Sequence, residues 1–250
     1  MLEIIAILGV IFFIAVLFYK QANESFEIIQ LESDRLSELP TLYSEHAPIV
    51  IRGFQVPSLG NHTELSKRQH IMNMAVATNL SLKALLQSSG SLKSYTWKKE
   101  TAEFLSRESG LNTWFEQNLF TQILPSPYTT FFYNFKTSLY PGQRGLFKTK
   151  AFQTVLMPTQ GTAVVSLMLP KVEAYLPNKW QGRAFHTLTH ADTPLLSQIQ
   201  YIDVKLRKGS ILVLPTHLIV NIKTDDSSEN NESAWIFCAE VHHWISRIAG

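Results

Sequence analysis

The sequence predicts a mainly β protein with an N-terminal helical layer and one N-terminal transmembrane helix, and three observations carry that prediction. An apolar run occupies the start of the chain, helical patterning recurs up to residue 127, and short β-patterned segments follow. We therefore expect an anchor at 1–20, a helical region at 21–127, and a β-barrel core with a C-terminal tail at 128–250. Short strands at roughly ten-residue spacing are typical of antiparallel sandwiches and barrels.

The composition limits the classes of function. Hydrophobic residues make up 45% of the chain and charged residues 17%, which is enough to bury a substantial core. The net charge is +2 and no basic block occurs, so we expect no nucleic-acid partner. Cys238 is the single cysteine, which excludes an internal disulfide and a Cys-rich zinc module. Its apolar neighbours predict a buried, unreactive thiol.

The predicted anchor rests on the uncharged run Ile4–Phe18, fifteen residues long. Extended to residues 2–19, a helix would reach about 27 Å or slightly more, close to the ~30 Å hydrocarbon core of a bilayer. The segment lacks the basic start and the small exit residues of a cleaved signal peptide. We therefore predict an uncleaved signal-anchor, a single-pass membrane protein with the lipid bilayer as partner through residues 2–19.

The side of the membrane that the rest of the chain would face stays open. Lys20 after the apolar run weakly favours a cytoplasmic domain. Four Asn-x-Ser/Thr acceptor sites favour the opposite side: Asn23, Asn61, Asn79 and Asn231.

The helical region carries apolar residues at three- and four-residue spacing. The segments with this pattern are 21–45, 65–86, 101–105 and 114–120. One strand interrupts them at 47–54, because a continuous apolar run closed by Gly53 is typical of a strand buried on both faces. We expect this strand to pack on the barrel.

Seven strands are predicted after residue 128, separated by Pro and Gly. They are 129–135, 152–157, 163–169, 200–206, 210–214, 218–222 and 234–241. The polar stretch 223–233 is predicted to be an exposed hairpin loop.

Several of these pieces, taken in order, resemble a known family. They are Ala47–Phe54, Tyr140-Pro141-Gly142, Gln160-Gly161-Thr162 before a strand ending Leu169-Pro170, His190-Ala191-Asp192-Thr193-Pro194 and Lys208–Pro215. Over about residues 35–245 the chain resembles the cupin-like, JmjC-related branch of the iron- and 2-oxoglutarate-dependent oxygenases. The resemblance implies a double-stranded β-helix that holds iron on a His-x-Asp/Glu pair and a distant His, leaving positions for 2-oxoglutarate and oxygen.

The metal ligands that the resemblance implies are missing. The family's first His lies thirteen residues before the turn glycine, which here places Lys148 at that position and Lys150 at the carboxylate position. Val220 occupies the position of the second His, and His217 lies three residues earlier. An ammonium group has no lone pair for a metal. The resemblance therefore implies a degenerate site with no metal, no cofactor and no catalytic residue.

Two functions follow. The first, which we favour, is a pseudoenzyme: a membrane-anchored binding or scaffolding module for an unidentified protein or an anionic small molecule. The second is a hydroxylase with displaced ligands. Its ligands would be either His186 or His190, together with Asp192 and His217.

The barrel mouth is expected to be cationic. Residues at i and i+2 on a strand share a face, so Lys148 and Lys150 would point inward together, with Arg144 close by. Buried cations need counter-charge or solvent, and we therefore expect an open mouth or a bound anion.

Overall fold

Most of the helices lie in the first half of the chain, and most strands of two largely antiparallel sheets lie in the second half. The computed structural model describes residues 2–20, 27–77, 80–87, 95, 97–124, 127–225 and 233–243. The described residues form a mixed helix and sheet fold. The prediction of a mainly β chain is wrong, because short helical turns also fill the connections between strands.

The α-helices are short after the first. They are α1 Leu2–Lys20, α2 Leu39–Leu42, α3 His62–Ser66, α4 Gln69–Met72, α5 Leu82–Gln87, α6 Lys99–Ser109 and α7 Leu111–Phe115. A π-helical turn, Glu116–Phe120, continues α7. The 3-10 turns are Ser33–Glu38, Tyr43–Glu45, Pro127–Phe132, Pro170–Tyr175, Phe185–Thr187 and Leu196–Gln198.

Helix α1 is the segment that the sequence predicts to be a membrane anchor. Within the described part of the chain, no helix combines the length and the apolar character that crossing a bilayer requires. The prediction of a single-pass membrane protein is therefore wrong. The uncharged run Ile4–Phe18 covers fifteen residues. That is fewer than the about 20 consecutive apolar residues that a membrane-spanning helix needs.

One of the four Asn-x-Ser/Thr positions has a structural role. The Asn61 side chain accepts a hydrogen bond from the Glu64 backbone N–H at 2.8 Å and so caps α3. Asn23, Asn79 and Asn231 lie outside the described residues.

The strands form two large sheets and one small ribbon. They are β1 Ile29–Glu32, β2 Ile49–Arg52, β3 Ala75–Ala77, β4 Leu80–Ser81, β5 Tyr133–Pro141, β6 Arg144–Lys148, β7 Gln153–Gln160, β8 Thr162–Met168, β9 Tyr201–Arg207, β10 Ile211–Leu214, β11 Ile219–Thr224 and β12 Trp235–His243. The larger sheet has the order β1-β2-β10-β7-β12-β5 and the smaller has β6-β11-β8-β9, while β3 pairs with β4. Only the β1–β2 pair, among the described strands, is parallel.

The chain passes back and forth between the two large sheets. Strands β5, β7, β10 and β12 lie in the larger sheet, and β6, β8, β9 and β11 lie in the smaller one. Apolar side chains from both sheets, such as Leu156 and Val165, belong to one buried cluster, which fills the interior between the sheets. Consecutive strands β5 and β6 each end their own sheet, so both border one side of the interior.

The two faces of β12 have different neighbours. The Phe237 ring lies 5.7 Å from the ring of Phe115 in α7, on the face that the helical layer covers. Cys238 and Glu240 point the other way, because side chains alternate along a strand. There they meet Arg144, which comes from the smaller sheet. Charged and polar groups of β12 are thus directed into the interior.

Candidate functional site

A cavity of about 490 Å³ lies beside the edge strands β5 and β6. Its volume is within the range of small-molecule sites, about 300–1,000 Å³. Aromatic and cationic side chains line it: Tyr95, Trp97, Tyr140, Phe147, Lys99, Arg144 and Arg183. We call it the side cavity.

Arg144 lies at the inner end of the side cavity. Its guanidinium is 3.6 Å from the centre of the Phe147 ring and 4.8 Å from that of Tyr140. The register between β6 and β11 shifts after Val220, and this irregularity allows Arg144 and Phe147, three residues apart, to share a side. Arg144 is 16% exposed, so its charge requires partners within the protein.

Glu240 supplies the counter-charge. Arg144 Nη2 donates to Glu240 Oε1 at 3.4 Å, and Lys99 Nζ lies 3.2 Å from Oε2. His242 Nε2 is 3.8 Å away. Burial alone would raise the pKa of Glu240. The hydrogen bond with His242 and the positive charges of Arg144 and Lys99 outweigh burial and lower the pKa to about 2. The carboxylate is therefore ionised at neutral pH.

Cys238 is buried, as the sequence predicts. Arg144 Nη1 donates to its Sγ at 3.1 Å. Burial raises the pKa of the thiol to about 11 despite the opposing charge of Arg144. Burial also raises the pKa of Tyr140, to about 12. Both groups are protonated at neutral pH, and a protonated thiol is a poor nucleophile.

Residues 181–184 form the outer wall of the side cavity. Leu146 N–H donates to Arg183 O at 2.7 Å, and Gly182 N–H donates to Leu146 O at 2.8 Å, so this segment pairs with the edge of β6. The Arg183 side chain forms an ion pair of 2.8 Å with Asp192. Hydrogen bonds from Arg183 and from Thr189 hold the pKa of Asp192 at about 2.

Gly145 permits this close pairing, which gives a test of the wall. A Cβ at position 145 would lie 2.3 Å from the Gly182 carbonyl oxygen. We expect Gly145→Ala to push residues 181–184 away from β6 and to lower the free energy of unfolding by about 1–3 kcal/mol. Urea unfolding measures the change.

Gly182→Ala is the matched control, because a Cβ there meets nothing within 4 Å although φ is +82°. It should show only the cost of left-handed backbone, about 1 kcal/mol. Equal unfolding energies for Gly145→Ala and the wild type would contradict this account of the wall.

The two lysines at the predicted metal positions do not lie together in the interior. Lys148 Nζ forms an ion pair of 2.6 Å with Glu173, in the turn that covers the outer face of the smaller sheet. Lys150 is exposed. Between them, Thr149 is buried and its hydroxyl accepts from Leu218 N–H at 2.9 Å. The irregularity at the start of β6 leaves Phe147 facing inward, and the next residue, Lys148, faces outward.

Val220 is fully buried in the apolar cluster of the interior. His217 lies in the turn before β11 with φ 71°, and its backbone N–H donates to Thr149 O at 2.8 Å. This places the His217 backbone beside Thr149, which lies between the two predicted metal positions, Lys148 and Lys150.

The four alternative ligands are dispersed. His186 borders the side cavity, Asp192 is paired with Arg183, and His190 is exposed. The described residues contain no group of three His, Cys, Asp or Glu side chains that could hold a metal ion. The residues present therefore do not fit the iron site that the resemblance implies, and we derive no step through iron.

Among the charged residues at this site, the sequence predicts Arg144 but not Lys99, Arg183 or Glu240. Glu240 carried a usable signal, since it is the single charge in the apolar run Trp235–Val241. A charge in such a run requires a partner of opposite sign. Lys99 carried none, because it meets Glu240 from 141 residues away.

Comparisons with known proteins add little. No protein-family model and no curated protein matches the chain. Among solved structures, the chain is similar to hydroquinone 1,2-dioxygenase from Sphingomonas sp. TTNP3 with 4-hydroxybenzoate bound, with a TM-score of 0.30 and 16% identity. The match covers 46% of this chain and 62% of that one, so it spans less than two thirds of the dioxygenase. A likeness at this score carries no argument about the site or its chemistry.

Proposed function

We propose that the protein is a non-catalytic, cupin-like binding domain that holds a small organic anion in the side cavity. The passage of β5 to β12 between two facing antiparallel sheets supports the cupin-like part of the proposal. The dispersal of the candidate metal ligands supports a binding role over an iron-dependent hydroxylation.

The charge of the lining is the observation that carries the proposal. Lys99, Arg144 and Arg183 border the side cavity, and no Asp or Glu occurs among the described residues that line it. Glu240 holds Arg144 in position and Asp192 holds Arg183, so two of the three cations are oriented by carboxylates. Cationic groups that are already oriented bind an anion without a large cost of ordering.

Isothermal titration calorimetry of the full-length protein tests this function. We expect binding of at least one organic probe among acetate, benzoate and succinate, with inorganic phosphate as the inorganic comparison. Lys99→Met should weaken that binding about tenfold or more, because a hydrogen bond to a charged group is lost. Lys98→Met is the matched control, since Lys98 is exposed and does not line the side cavity.

Two results would overturn the proposed function. One is the absence of binding by every anion tested. The other is conversion of 2-oxoglutarate to succinate by the protein supplied with Fe²⁺ and oxygen, which would assign it to the oxygenases that it resembles.

A further inference from the structure

We infer that the ligand of the side cavity is an aromatic monocarboxylate whose carboxylate lies near Lys99. This inference rests on the proposed function and specifies the class of anion. The charge balance around the cavity, the exposure of Lys99 and the geometry of the aromatic walls support it.

The charge balance indicates a monoanion. Three cations border the side cavity, and two carboxylates pair with them. Asp192 pairs with Arg183, whereas Glu240 pairs with both Arg144 and Lys99. Among the described residues, one of these three positive charges is therefore in excess, at the end of the cavity where Lys99 and Arg144 both approach Glu240. A single carboxylate would balance it, whereas a phosphate dianion would bring a second negative charge.

Lys99 is the cation with the most freedom to meet a ligand at that end. Arg144 is enclosed by the Phe147 and Tyr140 rings and donates to both Cys238 and Glu240. Lys99 is 48% exposed, and its ion pair among the described residues is with Glu240, at 3.2 Å. An ammonium on a flexible stem has further donors for a carboxylate.

The aromatic walls favour a flat apolar body. The Tyr95 and Trp97 rings are 4.9 Å apart with an interplanar angle of 74°, an edge-to-face arrangement. The Tyr95 hydroxyl donates to Val76 O at 2.7 Å, which fixes that ring. Phe147 and Tyr140 border the same cavity. Aromatic rings gain from edge-to-face and offset contacts with another ring, beyond the burial of area.

A calorimetric comparison of four small molecules tests the class. Benzoate is compared with cyclohexanecarboxylate, which has the same charge but is not flat, with neutral benzamide, and with the dianion phthalate. We expect benzoate to bind about fivefold to tenfold more tightly than cyclohexanecarboxylate, because only benzoate gains the ring contacts. Benzamide should bind about tenfold or more weakly than benzoate, because it lacks the charge.

Variants locate the two parts of the ligand. Trp97→Leu should remove the preference for benzoate over cyclohexanecarboxylate, and Phe147→Leu is a second variant of the same wall. Trp114→Leu is the control, because Trp114 packs on Phe54 and does not line the side cavity. Lys99→Met should weaken the binding of benzoate but leave the affinity for benzamide unchanged.

The outcomes separate this inference from the proposed function. The inference of an aromatic monocarboxylate would be overturned if cyclohexanecarboxylate, phthalate, succinate or phosphate bound as tightly as benzoate or more tightly. The proposed function of anion binding would then still stand. Benzoate binding unaffected by Lys99→Met would also overturn the inference. If no anion binds, both are overturned.

Discussion

Replacing Glu240 by Gln is expected to lower the free energy of unfolding by about 3–5 kcal/mol, because removal of one partner leaves a buried charge uncompensated. Arg144 is the charge in question: it is 16% exposed and lies between the two sheets, where Glu240 neutralises it. Lys99 would lose the same partner. Urea unfolding followed by circular dichroism measures the loss.

The exposed pair Arg35–Glu38 provides the control for this experiment. The two side chains are 62% and 45% exposed and approach to 2.6 Å. Because water screens such a pair, Glu38→Gln should lower the free energy of unfolding far less than Glu240→Gln does. A Glu240→Gln variant as stable as Glu38→Gln would show that Arg144 is solvated rather than enclosed.

The pH dependence follows from the lowered pKa of Glu240, about 2 in the folded chain against an ordinary value of 4.5. A depressed pKa means that this stabilisation is fully present above pH ~5 and is lost as the pH falls through the folded value. The difference in unfolding energy between wild type and Glu240→Gln should therefore narrow from pH 5 towards pH 2. A difference that stays constant over this range would contradict the ionised carboxylate.

Most strands of the second half were predictable from the sequence, because Pro and Gly separate short apolar, β-patterned segments there. The prediction at 234–241 overlaps β12, and that at 163–169 overlaps β8. Strand β6 was missed, since Arg144–Lys148 is short and contains two cations and Gly145. Its polar ends are satisfied by Glu240 and Glu173, which a local pattern cannot reveal.

The N-terminal region was harder to predict because its periodicity is ambiguous. The prediction of helix over 21–45 includes β1, Ile29–Glu32, which pairs with β2 in register from Ile29 opposite Ile49. Apolar residues at mixed spacing fit a helix and a strand alike when the run is short. Residues Ile29–Glu32 form a strand because they pair with β2, a buried strand that begins twenty residues later.

The candidate site was only partly predictable, for a reason of topology. Arg144 was assigned to the mouth on sequence spacing, but its partners lie 94 and 96 residues away on β12. The inward direction expected for Lys148 came from the thirteen-residue spacing that the resemblance implies. The register irregularity beside Gly145 lets Arg144 and Phe147 share the inward side, so Lys148 faces outward. A glycine inside a strand is a signal for such an irregularity, but it does not tell which way the residues after it face.

Phe115→Ala is expected to lower the free energy of unfolding by about 3–5 kcal/mol, the usual cost of removing a buried aromatic ring. Phe115 is 0% exposed, and its ring lies 5.3 Å from that of Phe135 and 5.7 Å from that of Phe237. It thereby joins α7 to two strands of the larger sheet. Chemical denaturation measures the loss, and Phe131→Ala is the control, since Phe131 is 90% exposed.

The same variant separates the stability of the helical layer from ligand binding. Phe115 lies on the face of β12 opposite Glu240, so the side cavity keeps its lining residues when the ring is removed. Under conditions where Phe115→Ala is still folded, its affinity for benzoate should equal that of the wild type. A stability loss no larger than that of Phe131→Ala would mean that α7 does not pack on the sheet. Weakened binding in a folded variant would mean instead that the helical layer shapes the cavity.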